Sequence, residues 1–94
     1  MVVAFDLVTP ETVPNERLFS LIQQARRIAL KIAGVYDLAF YQTEQASVWR
    51  CTVDLDNWEA WKVLQVDAHF QRVWADVRAL EVRIVHEKQL ERRV

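Results

Sequence analysis

The chain has a single cysteine, Cys51. That excludes an internal disulfide and any zinc site built on several thiolates, and it fits a reducing compartment. Glycine is as scarce: Gly34 stands alone, and Pro10 and Pro14 are the only prolines. Little of the chain is therefore free to be loop. The Gly-rich loops that cradle phosphates and the small-residue elbow around a catalytic serine are both missing. No apolar run approaches the roughly 20 residues of a membrane span. The opening "MVVAFDLVTP" lacks the basic start and long apolar stretch of a secretory leader. A cytoplasmic protein with no membrane partner is the expectation. Charge of one sign is lacking too: 12 Lys and Arg stand against 13 Asp and Glu, a net charge of −1 without the basic footprint of a nucleic-acid binder. Two histidines and scattered carboxylates show no metal-ligand spacing, so no metal site is expected.

What is abundant is apolar and aromatic. Hydrophobic residues make up 52 % of the 94, with four Trp, four Phe and two Tyr. The length makes one domain, 1–94, with no linker or repeat. A chain this short buries a smaller share of its surface than a long one, so association would help it.

"VVAFDLV" (Val2 to Val8) is β-branched and apolar and reads as a strand ending at Thr9-Pro10. Val3, Phe5 and Leu7 share one face; Asp6 puts a charge on the other, otherwise apolar, face. After the two-proline loop, Asn15 is placed to cap a helix running to Ala33 and stopped by Gly34. Leu18, Leu21, Ile22, Ala25, Ile28, Ala29 and Ile32 give it one apolar face. Val35 to Thr43 and Ser47 to Leu55 read as an antiparallel hairpin whose short link carries neither Gly nor Asn. In the second of these strands Trp49, Cys51, Val53 and Leu55 face one way and Val48, Arg50, Thr52 and Asp54 the other.

"DNWEAWKVLQVDAHFQRVW" changes phase part-way. Asp56 and Glu59 have capping-box spacing, and Trp58, Trp61 and Leu64 form one apolar stripe. Val66, Phe70, Val73, Trp74 and Val77 form another, pointing roughly 150–180° away at 3.6 residues per turn. One straight helix cannot bury both stripes on one sheet. A short helix, a break at Gln65 to Asp67 and a second helix capped by Asp67 resolve the conflict. "EVRIVHEKQL" reads as a fourth strand with Val82, Ile84 and His86 on one side, and "ERRV" as a polar tail.

The order strand, helix, strand, strand, helix, strand defines a ferredoxin-like βαββαβ α+β fold: a four-stranded antiparallel sheet with its helices on one face. Asp6, Ala39, Tyr41, Arg50 and Thr52 fall on the uncovered face, with His86 joining them in one register. That face is too apolar to be left wet and too polar for an ordinary core. Pairing with a second copy would cover it and leave a semi-polar cavity.

With this element order, "WEAWKVLQVDAHFQRVW" resembles the corresponding segment of dimeric α/β-barrel proteins, nearest to the stress-responsive A/B barrel and antibiotic-biosynthesis monooxygenase-like families. In the first family the segment usually carries a tyrosine followed by Pro-Ala-His. Here Ala68 and His69 match, Asp67 replaces the proline and Val63 holds the tyrosine position. The haem-degrading branch uses Asn, Trp and His. Trp61 fits its tryptophan, Asp6 stands where strand one would offer Asn, and Gln71 falls at the histidine position. The resemblance implies a homodimer and, for any chemistry, cofactor-independent proton transfer or oxygenation, monooxygenase- or cyclase-like, on an aromatic or polyketide-like molecule.

The residues divide between a functional and a plain reading. His69, in the first turn of the last helix, would be a neutral imidazole beside the helix's positive end and a candidate general base, or an ordinary partly exposed residue. Asp6 would be the second acid/base candidate if desolvated, or half of an ion pair with Arg50. Trp58, Trp61 and Trp74, with Tyr41 and Arg50, would bind a small aromatic ligand, or merely pack. Cys51 is expected to be an inert core residue. The competing class is a non-catalytic dimerisation or interaction module. An RNA-binding sheet of the same topology is disfavoured by the charge balance and by the missing aromatic RNA-binding run.

Overall fold

The computed structural model describes residues 1–91. Its elements run β1 (Val2–Val8), α1 (Asn15–Ala29), β2 (Val35–Gln42), β3 (Val48–Leu55), α2 (Trp58–Val66), α3 (Ala68–Ala79) and β4 (Arg83–Leu90). The strands form one antiparallel sheet in the order β2-β3-β1-β4. This is the ferredoxin-like α+β fold. Most of the polar tail lies outside the described residues.

The core lies between one sheet face and the helices. Val3, Phe5 and Leu7 of β1 and Trp49, Cys51, Val53 and Leu55 of β3 are buried there, against Leu18, Leu21, Ile22 and Ala25 of α1 and Val73 and Val77 of α3. Strand alternation and helical spacing thus sort the side chains as the hydrophobic pattern requires.

The helix ends differ from expectation. Pro14, not Asn15, is the N-cap of α1, and no side chain caps it. Proline has no side-chain oxygen to accept from the first-turn N–H groups, so the helix starts without a side-chain cap bond. α1 ends at Ala29, four residues before Ala33; Lys31, Ile32 and Val35 then donate to carbonyls three residues back. Gly34 lies past this tightened turn at φ +85°, and a Cβ there would stand 3.1 Å from the Ala60 Cβ. Asp56 does not cap α2. Asn57 does, its Oδ1 accepting from the Ala60 N–H at 3.1 Å. Asp56 instead accepts from the Tyr36 hydroxyl. Two members of the expected stripes are solvent-facing: Trp58 is 44 % exposed and Val66 71 %.

The break between α2 and α3 is where the phase change places it. Asp67 is extended, and its Oδ1 accepts from the Phe70 N–H at 2.9 Å. In the hairpin, Thr43 does the work that Gly or Asn usually does: its hydroxyl accepts from the Gln45 N–H and donates to the Val48 carbonyl at 2.6 Å.

β4 departs from simple alternation. Asp6 pairs with Val85 and Ala4 with Lys88, so two residues of β4 stand opposite Phe5 alone. The extra residue is His86, at φ +58°. This β-bulge reverses the alternation beyond it. Ile84 faces the core, whereas His86, expected beside it, joins Asp6 and Arg50 on the uncovered face. Glu87 is turned to the helix side instead.

Candidate functional site

The helix break opens the main cavity. A space of about 430 Å³ lies between α2, α3 and the strands β1 and β4. Phe5, Trp61, Phe70, Trp74 and Ile84 form its apolar walls. Trp74 meets Phe5 edge-on, with centroids 5.6 Å apart, and stacks on Phe70 at 5.5 Å. These contacts hold three aromatic rings in fixed orientations, the rigid apolar lining that small-molecule sites use.

Polar groups enter this lining from three elements. Gln65 comes from the end of α2, Gln71 and Arg78 from α3, and Glu87 from β4. The Gln71 Nε2 donates to the Gln65 carbonyl at 3.0 Å, satisfying a backbone oxygen that the break strips of its helical partner. Gln71 therefore clamps the angle between the helices as well as lining the cavity.

A second, more open groove lies on the uncovered sheet face, with Asp6, Thr43, Val48, Arg50 and His86 around it. Tyr41, Arg50, Asp6 and Val85 stand side by side across the four strands. The Arg50 Nε donates to Asp6 Oδ1 at 3.0 Å. That hydrogen bond lowers the Asp6 pKa against a smaller opposing effect of burial, and the charges of Arg50, His86 and Lys88 add to the lowering. Asp6 is held as a carboxylate in an ion pair. Tyr41 is 55 % exposed.

The predicted site residues are thus divided between two faces. Trp61 and Trp74 meet in the cavity. Asp6, Arg50 and Tyr41 lie on the far side of the sheet. Trp58 borders a shallow depression beside Val3 and Glu87. His69 is exposed in the first turn of α3 and lines neither the cavity nor the groove. Cys51 is buried, and burial pushes its thiol up to about 12, as an inert core cysteine requires. Among the described residues, no three His, Cys, Asp or Glu side chains cluster as metal ligands would.

The two charged cavity residues escaped the sequence reading for different reasons. Arg78 continues the Phe70–Trp74 row at i, i+4, i+8, a signal that was legible. Glu87 is placed by the bulge at His86, and no glycine marks that bulge.

An antiparallel sheet backed by helices on one face defines a class of small ferredoxin-like α+β proteins. Known structures share this fold. SnoaB, a cofactor-independent oxygenase from Streptomyces nogalater, aligns with a TM-score of 0.80 and 11 % identity over 97 % of this chain and 93 % of its own. A Deinococcus radiodurans protein provisionally assigned as an antibiotic biosynthesis monooxygenase gives 0.81 and 12 % over 100 % and 96 %. A conserved protein of unknown function from Bacteroides thetaiotaomicron gives 0.81 and 14 % over 95 % of each chain. The chain has the fold of antibiotic biosynthesis monooxygenase-like proteins; at these identities the likeness is one of fold. No family model and no curated protein matches the sequence.

Proposed function

We propose that this protein binds a flat aromatic or polyketide-like molecule in the cavity between α2, α3 and the sheet, and that its chemistry is monooxygenase-like and cofactor-independent. The observation that carries this reading is the cavity itself: about 430 Å³, walled by Trp61, Trp74, Phe70 and Phe5, with Gln65, Gln71, Arg78 and Glu87 supplying its polar groups. Deprotonation of a phenol or enol yields an electron-rich anion that can react with dioxygen directly. Aromatic walls with a base and a cation at the rim suit that step. SnoaB, of the same fold, is a cofactor-independent oxygenase.

The working unit in this reading is a homodimer joined through the uncovered sheet face. Val2, Val8, Tyr41, Val48, Val85 and Leu90 give that face apolar area around the Asp6–Arg50 pair. A second copy would bury it symmetrically.

Oxygen uptake with a panel of hydroxylated polycyclic aromatics tests the function. Uptake by the wild-type protein that falls by about tenfold or more in Trp61→Ala supports it. A protein that neither consumes oxygen nor retains any aromatic ligand is an interaction module, and the enzymatic reading fails.

A further inference from the structure

Two of the cavity's side chains carry charge, and they reach it by different routes. Arg78 extends the Phe70–Trp74 row by one more turn of α3. Glu87 arrives from β4 because the bulge at His86 exchanges the two faces of the strand from that point on. In unbroken alternation His86 would stand opposite Phe5 and point to the helices, with Glu87 on the uncovered face. The bulge puts Glu87 at the exposed rim of the aromatic cavity and His86 on the other face of the sheet. Neither Arg78 nor Glu87 forms an ion pair among the described residues; both are exposed residues that line the cavity where it opens to solvent.

We infer that Glu87 is the proton acceptor of the cavity and Arg78 the cation that holds the resulting anion. The inference rests on the reading of the cavity as an aromatic-ligand site. Elimination supports it. Gln65 and Gln71 are amides and cannot take up a proton at neutral pH, and the Gln71 Nε2 is already engaged with the Gln65 carbonyl. Asp6 lies on the other face and is tied to Arg50. His69 lies outside the cavity. Among the described residues, Glu87 is the one carboxylate in the lining.

The step is a proton transfer. The ligand's hydroxyl donates to the Glu87 carboxylate. As the ligand O–H bond breaks, a new O–H bond forms on Glu87. The electron pair stays on the ligand oxygen, giving a phenolate whose charge the Arg78 guanidinium offsets. A charge-assisted hydrogen bond of this kind selects strongly for a ligand that carries the O–H.

The experiment uses 2-naphthol and 2-methoxynaphthalene, which share a ring system and differ in the donor. Titration of the intact protein, followed by tryptophan fluorescence, should show 2-naphthol binding about tenfold tighter. Glu87→Gln should abolish this preference and leave the affinity for 2-methoxynaphthalene unchanged. In heavy water, the wild-type protein should accelerate exchange of the ring hydrogen beside the 2-naphthol hydroxyl, read by NMR. Glu87→Gln and Arg78→Gln should both lose the acceleration. A preference or an exchange rate untouched by Glu87→Gln overturns the inference while leaving the aromatic site standing. Failure of the wild-type protein to bind either probe overturns the aromatic-site reading and this inference with it.

Discussion

At the residue scale, Asp6 is the most constrained polar group. Its carboxylate is nearly buried, while Arg50, its partner, stays half exposed, so solvent screening keeps the pair well short of a fully buried bridge. The pair lowers the Asp6 pKa in the folded state from an ordinary 3.8. A depressed carboxylate contributes stability above its unfolded pKa and loses it as pH falls through the folded one. Asp6→Asn should therefore be less stable than wild type at pH 7, and the gap should close below about pH 3.8. Urea titrations at both pH values check this; a gap that persists in acid would assign the effect to packing. Cys51 offers a second test. Its buried thiol, raised to about 12, should stay unmodified by a thiol reagent in native buffer and react fully in urea.

Among the elements, the two turns that shape the cavity are held by single residues. Asp67 ends α2 and caps α3, and the hinge it makes separates Trp61 from Trp74. Asp67→Ala should cost about 1 kcal/mol in urea unfolding. The bulge residue His86 sits in left-handed backbone that favours glycine. His86→Gly should be neutral or slightly stabilising and should keep the naphthol preference, because Glu87 stays in place. His86→Val should cost about 1–2 kcal/mol, because a β-branched side chain resists positive φ. Equal stability of the two variants would show that the bulge does not demand that conformation.

For the molecule as a whole, one face of the sheet carries helices and the other does not. Native mass spectrometry of the purified protein should show a dimer. Tyr41→Glu, which adds a charge to the middle of the uncovered face, should shift it to monomer without unfolding it. A wild-type monomer at micromolar concentration would remove the sheet-to-sheet pairing from the proposal. The same spectrum reads any aromatic molecule retained in the cavity.

The alternation of β1 and β3, the amphipathic face of α1 and the phase change across Gln65–Asp67 were enough to define the elements, their order and the ferredoxin-like class. These patterns are local, set by the periods of strand and helix, and one chain displays them without its partners in space. Trp61 and Trp74 were legible on the apolar stripes of their helices for the same reason, and both line the cavity. The division of the site between two faces was not. Asp6 and Arg50 were rightly paired by strand alternation, but that pairing places them on the far side of the sheet from the cavity. His69 looked like a site residue from its place beside the helix break, yet the helix turns it to solvent. Glu87 was beyond reach of any pattern, because a single inserted residue in β4 reverses inside and outside. A bulge is decided by how β4 fits against β1 across the sheet, and that fit exists only once both strands are in place.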